Sequence, residues 1–125
     1  MAKTILIADD HDTVRRAICE AFTGEADFEV CGEAHDGRDA IEKAQQLHPD
    51  LIVLDLSMPI MNGLQAARVL RELMPSVPII MFTFYADQFV EEEARSAGVS
   101  AVVSKSEPIS VLTGKARGLL YRDAA

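Results

Sequence analysis

Four short apolar runs in this chain of 125 residues each lead to a side chain that can bind a cation or a phosphoryl group. Asp9 and Asp10 follow residues 5–8, Asp55 follows residues 51–54, Thr83 follows residues 79–82, and Lys105 lies just beyond residues 102–103. If the runs are parallel strands, their carboxyl ends meet along one edge of the sheet. We therefore expect three carboxylates, a hydroxyl and an ammonium group to share one small site.

The three carboxylates predict a divalent cation. Two like charges about 4 Å apart repel by about 1 kcal/mol in water and by about 4 kcal/mol at an effective dielectric constant of about 20. A cluster of Asp9, Asp10 and Asp55 consequently needs a positive counter-charge. Mg²⁺ suits this role, because it prefers hard oxygen ligands and is commonly held by carboxylates together with phosphate oxygens. His11 is expected to be an exposed neighbour of the cluster.

A carboxylate at a strand end can also attack phosphorus, which gives an aspartyl-phosphate. A bound metal would neutralise the oxygens of the moving phosphoryl group, while Lys105 offers a second positive charge and Thr83 a hydroxyl donor. The sequence contains no nucleotide-binding glycine loop, so the phosphoryl group must come from a separate donor. These residues thus predict phosphoryl transfer to Asp55.

The elements that must position these side chains alternate along the chain. Short β-branched runs are followed by longer stretches with a helical apolar period, which is typical of βαβ units. The pattern predicts an α/β fold with helices on both faces of a five-stranded parallel sheet. The predicted strands are Thr4–Ala8, Phe28–Ala34, Leu51–Leu54, Pro78–Phe82 and Ser100–Val103. The third is apolar throughout and is therefore expected at the centre of the sheet.

Apolar stripes and capping residues predict where the helices lie. The expected stripes are Val14, Ala17, Ile18, Ala21 and Phe22 in the first helix and Ala40, Ile41, Ala44 and Leu47 in the second. Residues that can accept from the free N–H groups at helix starts are Asp12 or Thr13, Asp36, Asn62, Asp87 and Ser106. Gly24, Pro49 and Gly98 are expected where helices end.

Length and composition indicate one domain over residues 1–125, because a chain of this size with 49% hydrophobic residues can bury a single core. Twenty acidic against 12 basic residues give a net charge of −8, which disfavours binding to nucleic acid or to an anionic membrane. Cys19 and Cys31 fit neither a secreted scaffold nor a metal knuckle and are expected to be reduced, packed thiols. Without a membrane-span or signal-peptide pattern, we expect a cytoplasmic protein.

Four segments together resemble the receiver domain of two-component response regulators. They are ADDH at residues 8–11, LDLSMPIMNG at residues 54–63, MFTF at residues 81–84 and SK at residues 104–105. The resemblance covers essentially the whole chain, and the matched positions occur in the family's order. It implies a flavodoxin-like (CheY-like) doubly wound sheet of strand order 2-1-3-4-5, with the site at the carboxyl ends of the strands.

The same resemblance implies roles for individual residues. Asp55 matches the phosphoacceptor that receives a phosphoryl group from the histidine of a sensor histidine kinase or phosphotransfer protein. Asp10, Asp55 and the backbone carbonyl of Ser57 match direct Mg²⁺ ligands, and Asp9 matches a carboxylate that acts mainly through bound water. The groups that match contacts to the phosphoryl oxygens are Lys105, Thr83 and the backbone N–H groups of Ser57 and Phe84.

By this resemblance the chain is a signalling switch and not an enzyme, with self-catalysed phosphoryl transfer and dephosphorylation as its only chemistry. Phosphorylation would remodel a face built from residues 87–95, Val102 and the helix at residues 108–120, which would contact another protein or a second copy in a homodimer. Ser106 stands where many relatives have proline, which is similar to receivers joined to helix-turn-helix output domains. We therefore expect the input domain of a transcriptional regulator, with a standalone single-domain regulator as the alternative.

Two positions differ from the family pattern. Val102 lies three residues before the lysine, where the family usually has an aromatic switch residue, so the usual ring movement is not expected. Phe84 follows Thr83 at a position that is usually small. We expect the rings of Phe84 and Tyr85 to narrow the approach to Asp55, so that Phe84→Ala shortens the lifetime of the phosphorylated protein.

Three other functions fit parts of the pattern. A phosphatase with an aspartyl nucleophile normally has a second Asp two residues after the first, where this chain has Ser57. A flavin-binding electron carrier shares the fold, but it needs a hydroxyl- and glycine-rich phosphate loop where this chain has Asp9 and Asp10. A receiver-like module that takes no phosphate and only binds a partner is the third alternative.

Overall fold

A computed structural model describes residues 2–121, in which five strands alternate with five helices. The strands are β1 Lys3–Ala8, β2 Phe28–Ala34, β3 Leu51–Leu54, β4 Ile79–Thr83 and β5 Ala101–Ser104. The helices are α1 Asp12–Thr23, α2 Gly37–Leu47, α3 Gly63–Leu73, α4 Gln88–Ser96 and α5 Ile109–Leu120. Of these helices, none is long and apolar enough to cross a membrane. Residues 1 and 122–125 of the predicted domain lie outside the described part of the chain.

The five strands form one parallel sheet in the order β2-β1-β3-β4-β5, which confirms the predicted fold class. Strand β3 is central, as predicted, and its four residues are all buried. The bounds of β2 and β3 are as predicted, whereas β4 and β5 each lie one residue later and β1 begins one residue earlier. Thr83 is therefore the last residue of β4 and does not follow the strand.

Each face of the sheet has its own core, because successive strand residues point to opposite sides. Ile5 and Ile7 lie on the face covered by α1 and α5, and Leu6 and Ala8 lie on the face covered by α2, α3 and α4. The first core also contains Ile18, Phe22, Phe28, Leu51, Val53, Ile80, Phe82, Val103, Leu112 and Ala116. Both faces are thus closed, and the strand ends remain as the place for a site.

Two residues of the predicted stripes are exposed. In α1 the stripe is centred on Ile18 and Phe22, and at about 100° per residue Ala17 lies beyond its edge. In the last turn of α2, Leu47 is 41% exposed and covers Gly32, where an added Cβ would meet Leu47 Cδ1 at 2.6 Å. Both predictions of burial were wrong, since helical period alone does not fix the centre of a stripe.

Three of the predicted helix caps are confirmed. The side chains of Asp36, Asn62 and Asp87 each accept a hydrogen bond from the backbone N–H three residues later. The other two caps were wrong, because His11 and Pro108 occupy the N-cap positions of α1 and α5 and make no side-chain cap bond. Asp12 lies inside the first turn of α1, where its carboxylate accepts from Arg15 at 2.7 Å, and Ser106 lies two residues too early.

The predicted helix ends are correct in position. Gly24 is the C-cap of α1, and Pro49 follows His48, the C-cap of α2. Gly98 comes directly after Ala97, the C-cap of α4, and has a φ of +94°. A side chain is strained at that angle, so glycine is needed at this position.

Candidate functional site

The carboxyl ends of four strands bring the predicted site residues to one edge of the sheet. Strands β1 and β3 are paired up to their last residues, Ala8 and Leu54. Asp9 and Asp55 directly follow these residues and therefore lie side by side at the edge of the sheet. Thr83 is the last paired residue of β4, and Lys105 follows the last residue of β5. The backbone N–H of Asp55 donates to the carbonyl of Ala8 at 3.0 Å, which fixes the end of β3 against β1.

The acidic residues form a compact cluster. One ligand-type atom from each of Asp9, Asp10, His11 and Asp55 lies within 4.8 Å of the others. Asp10 Oδ1 is buried and accepts no hydrogen bond from residues 2–121, although His11 Nδ1 lies 3.1 Å away. A buried carboxylate oxygen without a donor requires another partner, and a hard cation is a suitable one. The donor set therefore fits Mg²⁺.

Lys105 supplies a positive charge inside this cluster. Its Nζ lies 2.7 Å from Asp9 Oδ2 and 3.3 Å from Asp55 Oδ2, and its side chain is only 5% exposed. One ammonium thus opposes three carboxylates, and acidic groups are in excess in the cluster. This excess is what a divalent cation would offset.

Asp55 is held in a site that disfavours its charge. It is 4% exposed, and burial raises the pKa of its carboxyl group. Lys105 opposes this shift and the nearby Asp9 carboxylate adds to it, and the net direction is upward. An anionic Asp55 is therefore destabilised until a positive group arrives, which suits a nucleophile that works beside a metal ion.

Asp9 is held rigidly by contacts that the sequence did not indicate. The backbone N–H of His11 donates to Asp9 Oδ1 at 2.9 Å, and Arg15 Nη1 donates to the Asp9 carbonyl at 2.7 Å. Arg15 lies one turn into α1 and also pairs with Asp12 and Glu33. No pattern in the sequence singled out Arg15, since its partners become neighbours only in the folded chain.

The loop between β3 and α3 brings backbone close to Asp55. Ile60 has a φ of +69°, and the Met61 N–H donates to the Pro59 carbonyl at 2.7 Å, which forms a tight γ-turn. An added Cβ on Gly63 would lie 2.2 Å from the Asp55 carbonyl oxygen. Only glycine lets α3 begin directly against the backbone of Asp55.

The loop after β4 forms one wall of a cavity of about 250 Å³ beside Asp55. Phe84 and Tyr85 line it and are 63% and 61% exposed. The other lining residues are His11, Val14, Asp55, Ser57 and Lys105. Thr83 is fully buried, and its Oγ1 accepts from the Tyr85 N–H at 3.2 Å. The structure thus places the aromatic pair at the cavity that leads to Asp55.

Comparison with known proteins gives a consistent result. The family model described as the response regulator receiver domain matches residues 5–117. The response regulator protein VraR of Staphylococcus saprophyticus is 36% identical over 106 residues, which are 85% of this chain and 51% of that protein. The transcriptional regulatory protein LnrK of Bacillus subtilis is 33% identical over 101 residues, which are 81% of this chain and 46% of that protein. The chain therefore spans about half the length of these curated relatives.

The structural comparison agrees. A crystal structure of a two-component response regulator of the LuxR family from Aurantimonas superposes with a TM-score of 0.92 at 27% identity. The match covers 97% of this chain and 86% of that one. The similarity thus extends over the strand ends as well as the helices.

Proposed function

Because the chain belongs to the response regulator receiver domain family, we propose that Asp55 is its phosphoacceptor and that Mg²⁺ is its cofactor. The observation that carries this proposal is the position of Asp55, a buried carboxylate that shares Lys105 with Asp9 and lies beside the unpartnered oxygen of Asp10. A receiver domain acts with a phosphodonor in two-component signalling. We propose a sensor histidine kinase or a phosphotransfer protein as the donor.

The proposed step is transfer from a phosphohistidine. A carboxylate oxygen of Asp55 forms a bond to phosphorus while the P–N bond of the donor breaks, and the bonding electron pair leaves with the imidazole nitrogen, which takes up a proton. Asp9, Asp10, Asp55 and the backbone carbonyl of Ser57 would hold the metal, which when bound neutralises charge on the phosphoryl oxygens. Lys105 already lies 3.3 Å from Asp55, where it can follow a phosphoryl group attached to that carboxylate.

We propose that Thr83 transmits the change. Its hydroxyl oxygen accepts a hydrogen bond from the Tyr85 N–H in the β4–α4 loop. If the hydroxyl turned to donate to a phosphoryl oxygen, this hydrogen bond to the loop would change. Val102, at the place of the family's aromatic switch, is half-buried and packs against the core beneath α4. A bulky ring therefore does not swing at this position, and the loop itself would carry the movement to α4.

We propose that the chain is the input domain of a transcriptional regulator, with a face of α4, β5 and α5 that contacts a partner or a second copy. The support is that LnrK is a transcriptional regulatory protein about twice as long as the matched region. The exposed side of α4 carries Phe89, which is 71% exposed, beside three glutamates at residues 91–93. An aromatic group flanked by charge is a common composition for a protein contact surface.

The metal requirement offers a direct test of this proposal. Phosphate uptake from phosphoramidate should need Mg²⁺. Uptake should fall at least about 100-fold in Asp10→Asn, because one of the proposed metal ligands is lost. Glu107→Gln is the matched control, since Glu107 is an exposed carboxylate two residues beyond Lys105 and the variant is expected to react like the native protein. Equal uptake by the native protein and Asp10→Asn, with or without EDTA, would contradict the proposed site.

A further inference from the structure

The ammonium group of Lys105 lies near two phenylalanine rings. Its Nζ is 6.0 Å from the centroid of the Phe82 ring and 5.5 Å from that of Phe84. Phe82 is 4% exposed and is fixed in the core beneath the site, whereas Phe84 is 63% exposed in the loop above it. One ring therefore belongs to the core, and the other is an exposed ring near the ammonium.

Both distances are within the range of a cation–π interaction, about 6 Å from the centroid. Such an interaction is strongest where the cation is shielded from water, and the side chain of Lys105 is only 5% exposed. The two carboxylates hold the ammonium by charge, at 2.7 Å and 3.3 Å. Phe84 is an exposed ring that lies within cation–π distance of the same ammonium.

We propose that Phe84 is a positioning residue that acts through Lys105, by holding the ammonium against the site with the face of its ring. The inference rests on the proposed phosphorylation of Asp55. In hydrolysis of the phosphorylated form, a water oxygen bonds to phosphorus, the Asp55 O–P bond breaks with its electron pair returning to the carboxylate, and the attacking water releases a proton to the bulk solvent. An ammonium fixed on the phosphoryl oxygens occupies part of the space that the water needs, so a firmly held Lys105 prolongs the phosphorylated state.

This role differs from that of a simple steric screen. A screen needs only bulk above Asp55, which leucine supplies nearly as well as phenylalanine. A cation–π contact needs the negative face of an aromatic ring, which tyrosine keeps and leucine lacks. Substitutions at one position therefore separate the two explanations.

The first experiment measures the half-life of the phosphorylated protein by intact mass after the phosphodonor is removed. We expect Phe84→Tyr to stay within about twofold of the native protein, and Phe84→Leu and Phe84→Ala both to lose phosphate about 3- to 10-fold faster, as expected for a loss of about 1 kcal/mol. Leu73→Ala is the control, because Leu73 is 48% exposed at the end of α3 and does not line the cavity. A native half-life in Phe84→Leu would overturn the proposal in favour of a steric screen.

A second experiment needs no phosphate. A double-mutant cycle of Phe84→Leu and Lys105→Met in the unfolding equilibrium isolates the contact between ring and ammonium. We expect the two substitutions to be coupled by about three- to tenfold in the unfolding constant, and strict additivity would overturn the proposal. If no variant took up phosphate, the proposed function would fall, and this cycle would still decide whether the ring holds the ammonium.

Discussion

At the scale of single residues, the site combines a buried carboxylate with charges that do not balance. Asp55 is buried beside Asp9, and one ammonium is shared between the two carboxylates. Such a cluster is held together by the rest of the fold and not by its own interactions, because like charges in a buried site oppose folding. A substitution that removes the Asp55 carboxylate should therefore abolish its proposed reaction and at the same time stabilise the fold.

Asp55→Asn should make the metal-free protein more stable at neutral pH, by about 1 kcal/mol. Burial raises the folded-state pKa of Asp55 above its unfolded value, so the penalty for its charge is absent below the unfolded pKa and grows as the pH rises through the folded pKa. Lys105 keeps Asp9 as a partner in this variant.

Urea unfolding in EDTA, from neutral pH down to about pH 4, measures this difference. The difference in the free energy of unfolding between Asp55→Asn and the native protein should decrease as the pH falls. A difference that increased at low pH would show that the carboxylate stabilises the fold.

Cys19 should react slowly in the native protein. Burial, aided by Glu33, raises the pKa of its thiol to about 11, and burial also raises that of Cys31. At pH 8 roughly 0.1% of such a thiol is thiolate, against roughly a quarter for an ordinary cysteine. Alkylation of Cys19 by iodoacetamide is therefore expected to be at least about 50-fold slower in the native protein than in urea. Mass spectrometry of the alkylated protein measures both rates. Similar rates in both conditions would contradict this account of Cys19.

At the scale of elements, the sequence was most informative where a single local interaction decides the structure. Asn62 caps α3 and Gln65 completes the capping box, and both are visible as a short motif. The ends of β1, β2 and β3 were also predictable, since these strands stop where polar side chains begin. β4 and β5 each continue by one polar residue, Thr83 and Ser104. The burial of Ala17 and the contact between Arg15 and Asp9 were not, because both depend on how α1 is rotated against the sheet.

Two glycines in helices should respond to alanine in opposite ways. Gly63→Ala should destabilise the protein by more than about 2 kcal/mol, because the new Cβ would lie 2.2 Å from the Asp55 carbonyl oxygen. Gly118→Ala in α5 should stabilise it by roughly 0.5–1 kcal/mol, since the added Cβ would meet no packed neighbour among residues 2–121 within 4 Å. Thermal unfolding of both variants makes the comparison, and a stable Gly63→Ala would contradict the close approach of α3 to Asp55.

At the scale of the whole molecule, a net charge of −8 and an acidic edge lead us to expect that divalent cations stabilise the fold. A ligand that binds only the folded state adds about 2.7 kcal/mol of stability at 100 times its dissociation constant. Mg²⁺ should therefore raise the unfolding midpoint of the native protein progressively with concentration. The same titration of Asp10→Asn should give little change, and an equal rise in both proteins would indicate screening of surface charge instead of a site.

The global arrangement was predicted well from the sequence, and the reason is physical. The resemblance to the receiver family supplied the strand order, and the parallel strands supplied the common edge, so five residues at strand ends could be placed together. The distances of Lys105 from its charge partners and from the rings of Phe82 and Phe84 could not be predicted. These distances depend on side-chain packing, which a sequence pattern does not specify.

The central claim is that Asp55 accepts a phosphoryl group, and intact mass tests it most directly. The native protein is incubated with phosphoramidate and Mg²⁺ beside Asp55→Asn, and any modified protein is digested to locate the group. We predict that the native protein gains one phosphoryl group on Asp55, that EDTA prevents the gain, and that Asp55→Asn stays unmodified. A native protein that gains no phosphate, or an Asp55→Asn variant that gains as much, would contradict the account.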